Sequence, residues 1–289
     1  MDVSEIIKKV RKLELKTRNH SKDLFTGNYT STFKGKGISF HGVRAYSYGD
    51  DVRSIDWNVT SRSQEPYIKE FEEERELTVM LLIDLSGSLD FGTELRTKKK
   101  RQIEIAAILA FSALANNDKV GAILFTDEVE LYLPAKKGRE HILLILRQLI
   151  DYKPKSKKTN IGKALKFLRE TNRKSAVAFI ISDFIVDTDY TEDLKRTKKL
   201  HDLVALRIQD EAETQLSVRG FVQLVNAENN TKTWVNASSK KAKEIFSTND
   251  LRNKSEMIQN FRNIGIDFVS INTAEDCMPP LISLFKKRK

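Results

Sequence analysis

The sequence predicts an α/β fold: a doubly wound, mostly parallel sheet with a smaller N-terminal segment and an inserted β-hairpin. From residue 77 onward, short apolar runs rich in β-branched residues alternate with longer segments that repeat apolar residues every three or four positions. This alternation is typical of strand-helix-strand units. The apolar runs are nearly continuous, as expected for parallel strands that are buried on both faces.

The strands and helices of the predicted sheet follow directly from these runs. Near-continuous apolar character predicts strands at residues 77–84, 119–125, 175–182, 203–208 and 266–271. Helical spacing of apolar residues predicts crossover helices at residues 97–116, 140–150 and 161–171. Residues 128–133 follow a short turn after the second strand, so we expect them to pair antiparallel with it at the edge of the sheet.

Two further features are predicted outside the alternating pattern. Residues 220–226 and 231–236 are predicted to form the inserted hairpin, because Asn229 and Asn230 between them tolerate the positive φ that tight turns need. Residues 240–263 are predicted to form one helix or two. We place a domain boundary near residue 76, which divides the chain into an N-terminal segment, 1–76, and the α/β domain, 77–289.

The N-terminal segment has a different texture from the rest of the chain. A short amphipathic helix is predicted at residues 3–16, followed by glycines and by polar and aromatic residues without a long period. The run GKGISF at residues 35–40 lacks the third glycine of G-x-G-x-x-G, and no predicted strand precedes it. A dinucleotide-binding loop is therefore excluded.

Composition restricts the class of protein. With 289 residues, the chain is long enough to bury roughly three quarters of its unfolded surface, so we exclude a disordered or fibrous chain. Cys277 is the single cysteine, which excludes an internal disulfide and a thiolate zinc site and indicates a reducing compartment. No apolar stretch approaches the roughly 20 residues of a membrane span, and the N-terminus lacks the apolar core of a signal peptide. We therefore expect a cytoplasmic protein.

The net charge of +10 raises the possibility of a polyanion ligand. The basic runs, at residues 98–101, 153–158 and 286–289, are scattered, and no aromatic residues are interleaved with them. An acidic block also interrupts them; it consists of Glu70, Glu72, Glu73, Glu74 and Glu76. We interpret the basic runs chiefly as solvated faces, and we expect the acidic block to pair with basic residues of the N-terminal segment or of the helix near Lys98.

A set of oxygen-bearing side chains follows the predicted strands. Asp84, Ser86 and Ser88 stand at alternate positions where the first strand ends, Thr159 lies just before a helix, and Asp183 ends another buried strand. The carboxyl ends of parallel strands open into the crevice where ligands bind. An all-oxygen set suits a hard cation, so the sequence predicts a Mg²⁺ (or Mn²⁺) site that keeps one coordination position open.

Each of these residues also has a purely structural interpretation. Asp84 and Asp183 can form turns, Ser86 and Ser88 can make local hydrogen bonds, and Thr159 can cap the following helix. The occurrence of all five in the predicted sheet order favours the metal site over five independent explanations.

The same five residues match the metal-ion-dependent adhesion site of the von Willebrand factor type A domain. That site has the pattern D-x-S-x-S, then Thr, then Asp, and residues 77–289 resemble such a domain over their whole length. The resemblance implies a metal-dependent protein-binding module.

The segment before the domain resembles the bacterial domain-of-unknown-function family 58. Its members carry R-x-Y-x-x-G-D-D-x-R-x-I-D-W, matched here at residues 44–57. They are commonly encoded beside MoxR-type AAA+ ATPases, so the resemblance implies a partner of such an ATPase in chaperone-like assembly or in metal insertion. Residues 44–57 themselves are either structural or a docking surface for the ATPase; the sequence does not decide between the two.

Catalysis has little support in the sequence. The four histidines lie outside the strand-end loop of Ser86 and Ser88, and D-L-S-G-S does not match the G-x-S-x-G nucleophile elbow. An aspartyl phosphatase would usually carry an acidic residue two positions after Asp84, where this chain has Ser86. We therefore predict a protein that is not an enzyme, with a Mg²⁺-dependent phosphoester hydrolase and a basic polyanion-binding protein as the alternatives.

Overall fold

The computed structural model describes residues 39–63, 65–72, 77–90, 92–93, 96–186, 188–210, 220–225, 232–236, 238–239 and 254–288. The chain divides into two compact units: a smaller one, Phe33–Leu77, and a larger one that comprises Met1–Thr32 and Thr78–Lys289. The predicted helix at 3–16, the hairpin turn at Asn229 and Asn230, and residues 240–253 lie outside the described residues. So do the side chains of the acidic block, whose ion pairs stay a prediction.

The smaller unit contains an antiparallel β-hairpin that the sequence analysis missed. Strand β1 (Ser39–Ala45) pairs with β2 (Tyr67–Glu72), and a 3₁₀ turn and helix α1 (Trp57–Thr60) lie between them. The register shifts between Phe40 and Gly42. This irregularity breaks the period of two by which strands are recognised in a sequence.

Polar residues of the 44–57 segment hold the smaller unit together. The Arg44 guanidinium donates two hydrogen bonds of 2.8 Å to the Asp50 carboxylate, a pairing that the sequence analysis did not name. Asp51 and Asp56 each accept a 3.0 Å hydrogen bond from the backbone N–H two residues on, and so begin the 3₁₀ turn and α1. These contacts support the structural interpretation of the segment, while Trp57 is 67% exposed.

The larger unit consists of ten strands and six helices within the described residues. In chain order they are β3 (Thr78–Asp84), β4 (Gly92–Thr93), β5 (Arg96–Thr97), α2 (Lys98–Ala115), β6 (Lys119–Phe125), β7 (Val129–Lys136), α3 (Arg139–Asp151), α4 (Ile161–Thr171), β8 (Val177–Ser182), α5 (Thr191–Lys198), β9 (Asp202–Gln209), β10 (Phe221–Val225), β11 (Lys232–Asn236), α6 (254–264), β12 (Asp267–Asn272) and α7 (Met278–Lys287).

Six of these strands form the central sheet, in the order β12-β9-β8-β3-β6-β7. All neighbours are parallel except β7, which runs antiparallel to β6 at the edge, as predicted. The chain begins in the middle at β3, moves outward through β6 and β7, and then returns to the other side of β3 to form β8. The strand order therefore reverses between β3 and β8, where ligand-binding crevices of such sheets lie.

Helices cover both faces of this sheet. Val79, Leu81 and Ile83 of β3 pack into a core with α2, α3 and α7. Met80 and Leu82, at the alternate positions, pack into a second core with α4, α5 and α6. The predicted α/β fold with a mostly parallel sheet is thus confirmed, and its buried strands explain the near-continuous apolar runs.

Helices α5 and α7 were not predicted from the sequence. The α5 sequence, TEDLKRTK, buries only Leu194 and Thr197, so it gives almost no apolar periodicity. Helix α7 begins with Met278 followed by two prolines, which are tolerated in a first helical turn but indicate a break when read in sequence. In the described part of the chain, no helix is both long enough and apolar enough to cross a bilayer.

Candidate metal centre

Asp84 lies at the carboxyl end of β3, beside the point where the strand order reverses. It is the last residue of the strand and is completely buried. One carboxylate oxygen, Oδ1, accepts a 2.9 Å hydrogen bond from the Ser86 N–H, and Oδ2 accepts a 2.6 Å hydrogen bond from the Ser182 hydroxyl. The side-chain amide of Gln102 donates to the Asp84 carbonyl at 2.6 Å and to the Ile181 carbonyl at 3.3 Å, which ties the ends of β3 and β8 together.

The two predicted serine ligands lie next to each other. Their hydroxyl oxygens are 3.0 Å apart, and Ser86 is 2% exposed. The N–H of Gly87, between them, donates a 2.9 Å hydrogen bond to the Lys157 carbonyl. This bond joins the serine loop to the loop that carries Thr159.

Thr159 has a buried hydroxyl without a hydrogen-bond partner. The residue is 6% exposed, and its Oγ1 is one of the buried side-chain atoms of the described residues that make no hydrogen bond. Helix α4 is capped by Asn160, whose side chain accepts a 3.0 Å bond from the Lys163 N–H, so the cap interpretation of Thr159 is wrong. An unpaired buried hydroxyl costs about 1–3 kcal/mol, which a bound cation would offset.

Asp183 directly follows β8 and is paired with a lysine. Its Oδ1 accepts a 3.1 Å hydrogen bond from the Ile185 N–H, and its Oδ2 lies 3.0 Å from the Lys98 ammonium. Lys98 is completely buried and Asp183 is 1% exposed. Sequence analysis missed this role of Lys98, because it counted the residue with the solvated basic run at 98–101.

Burial and mutual repulsion act on the two carboxylates. Burial and, second, the negative charge of Asp183 raise the pKa of Asp84, hydrogen bonds from Ser182 and Ser86 lower it, and the net result is a pKa of about 7. A carboxyl group with so high a pKa lacks a cation of its own. A divalent ion near Asp84 would therefore displace a proton and be strongly stabilised there.

The residues present fit a hard divalent cation. Ser86 donates to Asp84 and its hydroxyl lies beside that of Ser88, while Ser182, at the end of the strand before Asp183, donates to the other Asp84 oxygen. The loop of Thr159 is bonded to the serine loop, and the Thr159 hydroxyl has lone pairs that a cation can accept. The described residues contain no group of three or more His, Cys, Asp or Glu that could hold a metal ion, so the candidate donors are the three hydroxyls and the two carboxylates. Oxygen donors with only two carboxylates suit Mg²⁺ or Mn²⁺ rather than zinc.

A basic rim borders the site. In the loop before α4, the side chains of Lys153, Lys155, Lys157 and Lys158 are exposed. The Gly87 hydrogen bond holds this loop against the serine loop. Exposed lysines attract acidic groups, although the same loop also contacts Glu130, which accepts a 3.0 Å hydrogen bond from the Lys155 N–H.

Bacterial proteins and a mussel byssus protein are among the curated relatives and solved structures that are similar to this chain. An uncharacterised protein of Mycobacterium tuberculosis (strain ATCC 25618 / H37Rv) is 25% identical over 291 residues, which cover 100% of this chain and 92% of the relative. The crystal structure of the conserved hypothetical protein BatB from Bacteroides thetaiotaomicron aligns with a TM-score of 0.48 at 14% identity, over 73% of this chain and 98% of BatB.

Two further solved structures are similar to part of this chain. A von Willebrand factor type A protein from Catenulispora acidiphila has a TM-score of 0.38 at 15% identity, over 49% of this chain and 35% of its own. Proximal thread matrix protein 1 of the mussel byssus, with a zinc-occupied adhesion-site motif, has a TM-score of 0.37 at 16% identity, over 46% and 38%. Similarity at this level carries no information on ligands or partners of this chain.

The protein-family comparison agrees with the motif at residues 44–57. The model of the family described as "Protein of unknown function DUF58" matches residues 42–256, which include most of the smaller unit's described residues and five of the six central strands. The chain belongs to this family.

Proposed function

We propose that the protein is a metal-dependent protein-binding module and not an enzyme, with Mg²⁺ or Mn²⁺ held by Asp84, Ser86, Ser88, Thr159 and Asp183. The observation that carries the proposal is the buried Thr159 hydroxyl without a hydrogen-bond partner, in the loop joined to the buried Asp84 and its serines. Such a hydroxyl is costly in a protein without a ligand. Coordination to a cation removes that cost.

The chemistry of the site favours an acidic side chain as the group that is bound. Three of the five donors are neutral hydroxyls, so a bound divalent ion retains charge that an incoming Asp or Glu would neutralise. The basic rim, Lys153, Lys155, Lys157 and Lys158, favours the approach of the same kind of group.

As the partner we propose a MoxR-type AAA+ ATPase, which family membership supports. Together the two proteins would act in chaperone-like assembly or in metal insertion. Because such a partner uses ATP, the proposal places the complex in the cytoplasm.

The absence of catalysis is also part of the proposal. Both Asp84 oxygens accept hydrogen bonds and the side chain is fully buried, so the carboxylate is badly placed to attack a substrate. Phosphoester turnover that disappears in Asp84→Ala would overturn this part.

A pull-down with a MoxR-type AAA+ ATPase tests the function. We expect complex formation in Mg²⁺ and its loss in EDTA or in Thr159→Ala. Thr171→Ala is the matched control, because it removes a hydroxyl from the far end of α4, where that hydroxyl bonds the Phe167 carbonyl. Undiminished complex in EDTA and in Thr159→Ala would mean that docking occurs elsewhere, with residues 44–57 as the next surface to test.

A further inference from the structure

Lys98 is a fully buried cation beside the candidate metal centre. It is the first residue of α2, and its ammonium nitrogen lies 3.0 Å from Oδ2 of Asp183, 85 positions away in the chain. Moving an ammonium group from water into the protein interior is unfavourable before its pairing is counted. The start of a helix also repels positive charge. A lysine in this place therefore needs an explanation beyond solubility or helix propensity.

Lys98 changes the charge balance of the site. Asp84 and Asp183, when ionised, carry two negative charges, which would neutralise one divalent ion completely. Lys98 already cancels one of these charges and occupies one oxygen of Asp183. A divalent ion that enters the site is therefore repelled by the ammonium group. The ion together with Asp84, Asp183 and Lys98 then has one positive charge in excess.

We propose that Lys98 is a built-in counter-ion that weakens divalent-cation binding in the free protein and so makes metal occupancy depend on a carboxylate from the partner. The inference rests on the proposed function, because it takes the metal site as given. A partner's carboxylate removes the excess positive charge, so metal and partner bind cooperatively, each raising the affinity of the other by the same factor. Without a partner, Lys98 satisfies Asp183 and the protein is folded without metal.

Titration of the purified full chain with Mn²⁺ alone tests this role. Lys98→Gln keeps a hydrogen-bond donor for Asp183 but removes the charge, and we expect it to bind Mn²⁺ at least about tenfold more tightly than the wild type. Lys98→Arg keeps the charge and should stay within about twofold of the wild type. Lys100→Gln is the matched control, because it removes the same charge from an exposed position of the same helix turn; it should also stay within about twofold.

The outcomes separate this inference from the proposed function. Equal Mn²⁺ affinity of the wild type and Lys98→Gln, with binding lost in Asp84→Ala, would overturn the role of Lys98 and leave the metal site standing. An equal gain in Lys100→Gln would also overturn it, because the effect would then be one of net charge. If neither the wild type nor Lys98→Gln binds Mn²⁺, the proposed metal site itself fails.

Thermal unfolding in EDTA and in Mn²⁺ tests the proposal even if Lys98→Gln destabilises the fold. Lys98→Gln should unfold at a lower temperature than the wild type in EDTA, because Asp183 has lost its charged partner, and Mn²⁺ should raise its midpoint more than that of the wild type. Lys98→Met provides the same test with an apolar chain of similar length. A smaller Mn²⁺-induced rise in both variants than in the wild type would contradict the proposal.

Discussion

Two clusters of buried charge lie at opposite edges of the parallel sheet, one at the amino end of β9 and the other at the carboxyl end of β3. At the amino end of β9, Asp202 receives the Lys198 ammonium at 2.9 Å on one oxygen and the Arg288 guanidinium at 2.6 Å on the other. Arg288 also reaches Asp267, at the start of β12, at 2.8 Å. At the carboxyl end of β3, Asp84 has only neutral donors on its two oxygens among the described contacts.

The pKa values of the two aspartates are shifted in opposite directions, although burial raises both. Burial alone raises the pKa of Asp202, but the charges and hydrogen bonds of Arg288 and Lys198 outweigh it and the pKa is lowered. For Asp84, burial and Asp183 raise the pKa to about 7. Buried acids that are fully neutralised stabilise a fold, whereas an acid left short of positive charge marks a place where a cation can bind.

The largest expected effect on stability comes from breaking the neutralised cluster. Arg288→Met removes a cation from Asp202 and Asp267 and should lower the free energy of unfolding by about 3 kcal/mol, because a buried charge loses its partner. Denaturant unfolding measures the loss. Lys286→Met is a control on the same helix end. A loss of unfolding free energy no larger than that of Lys286→Met would show that the Asp202 cluster contributes little to stability.

Replacing aspartate by asparagine should change the free energy of unfolding in opposite directions in the two clusters. Asp202→Asn removes the charge that two cations surround and should cost about 2 kcal/mol. Asp84→Asn removes a charge that burial and Asp183 disfavour, so in EDTA it should raise the free energy of unfolding by about 1 kcal/mol. Denaturant unfolding of both variants in EDTA checks this. Destabilisation by both substitutions would remove the distinction between the clusters.

Stability in the absence of metal should depend on pH through both residues, with opposite slopes. The raised pKa of Asp84 means that the folded state binds more protons than the unfolded state between about pH 4 and pH 7, so its contribution to stability falls as pH rises. The lowered pKa of Asp202 stabilises the protein above the unfolded value, and this contribution is lost as pH falls through the folded value. Denaturant midpoints between about pH 4 and pH 7 measure the contribution of Asp84, and midpoints below about pH 4 measure that of Asp202.

Asp84→Asn separates the two contributions. We expect it to flatten the decline between about pH 4 and pH 7 and to leave the acid limb, to which Asp202 contributes, unchanged. A decline of the same size in the wild type and in Asp84→Asn would assign the pH dependence to other groups.

The smallest expected effect belongs to the unpaired hydroxyl. Thr159→Val removes a buried hydroxyl that makes no hydrogen bond, so in EDTA the free energy of unfolding should rise by about 1 kcal/mol, the low end of the cost of such a hydroxyl. Thr197→Val is the contrast: its buried hydroxyl accepts from Arg169 at 2.7 Å and donates to the Asp193 carbonyl at 2.6 Å, so its loss should cost about 1–3 kcal/mol. Equal losses in denaturant unfolding would mean that Thr159 has a partner.

Much of the larger unit could be predicted from the sequence because its signals are local. Strands buried on both faces give continuous apolar runs, and the crossover helices give strong periodicity, so their limits fall close to the predicted ones. The β10–β11 hairpin was predicted from its Asn-rich connection and is confirmed in its pairing. The β1–β2 hairpin of the smaller unit was not predicted, because a bulge interrupts β1 and the turns of this unit depend on aspartate caps rather than on an apolar pattern.

The sequence predicted only part of the candidate site, and the rest was missed for a physical reason. Asp84, Ser86 and Ser88 are neighbours in sequence, and the sheet order brings Asp183 to them. The pairing of Lys98 with Asp183 joins residues 85 positions apart, and periodicity says nothing about such a contact. One signal was available: a lysine directly after Thr97, the N-cap of α2, stands where the helix disfavours a cation.

Calorimetric titration of the metal-free protein with Mg²⁺ and Mn²⁺ tests the central claim most directly. The wild type should bind one divalent ion, and the Asp84→Ala, Ser86→Ala double variant should lose at least about a hundredfold in affinity, because a carboxylate and a hydroxyl ligand are both removed. Equal affinity of the wild type and the double variant would contradict the assignment of the metal to these residues.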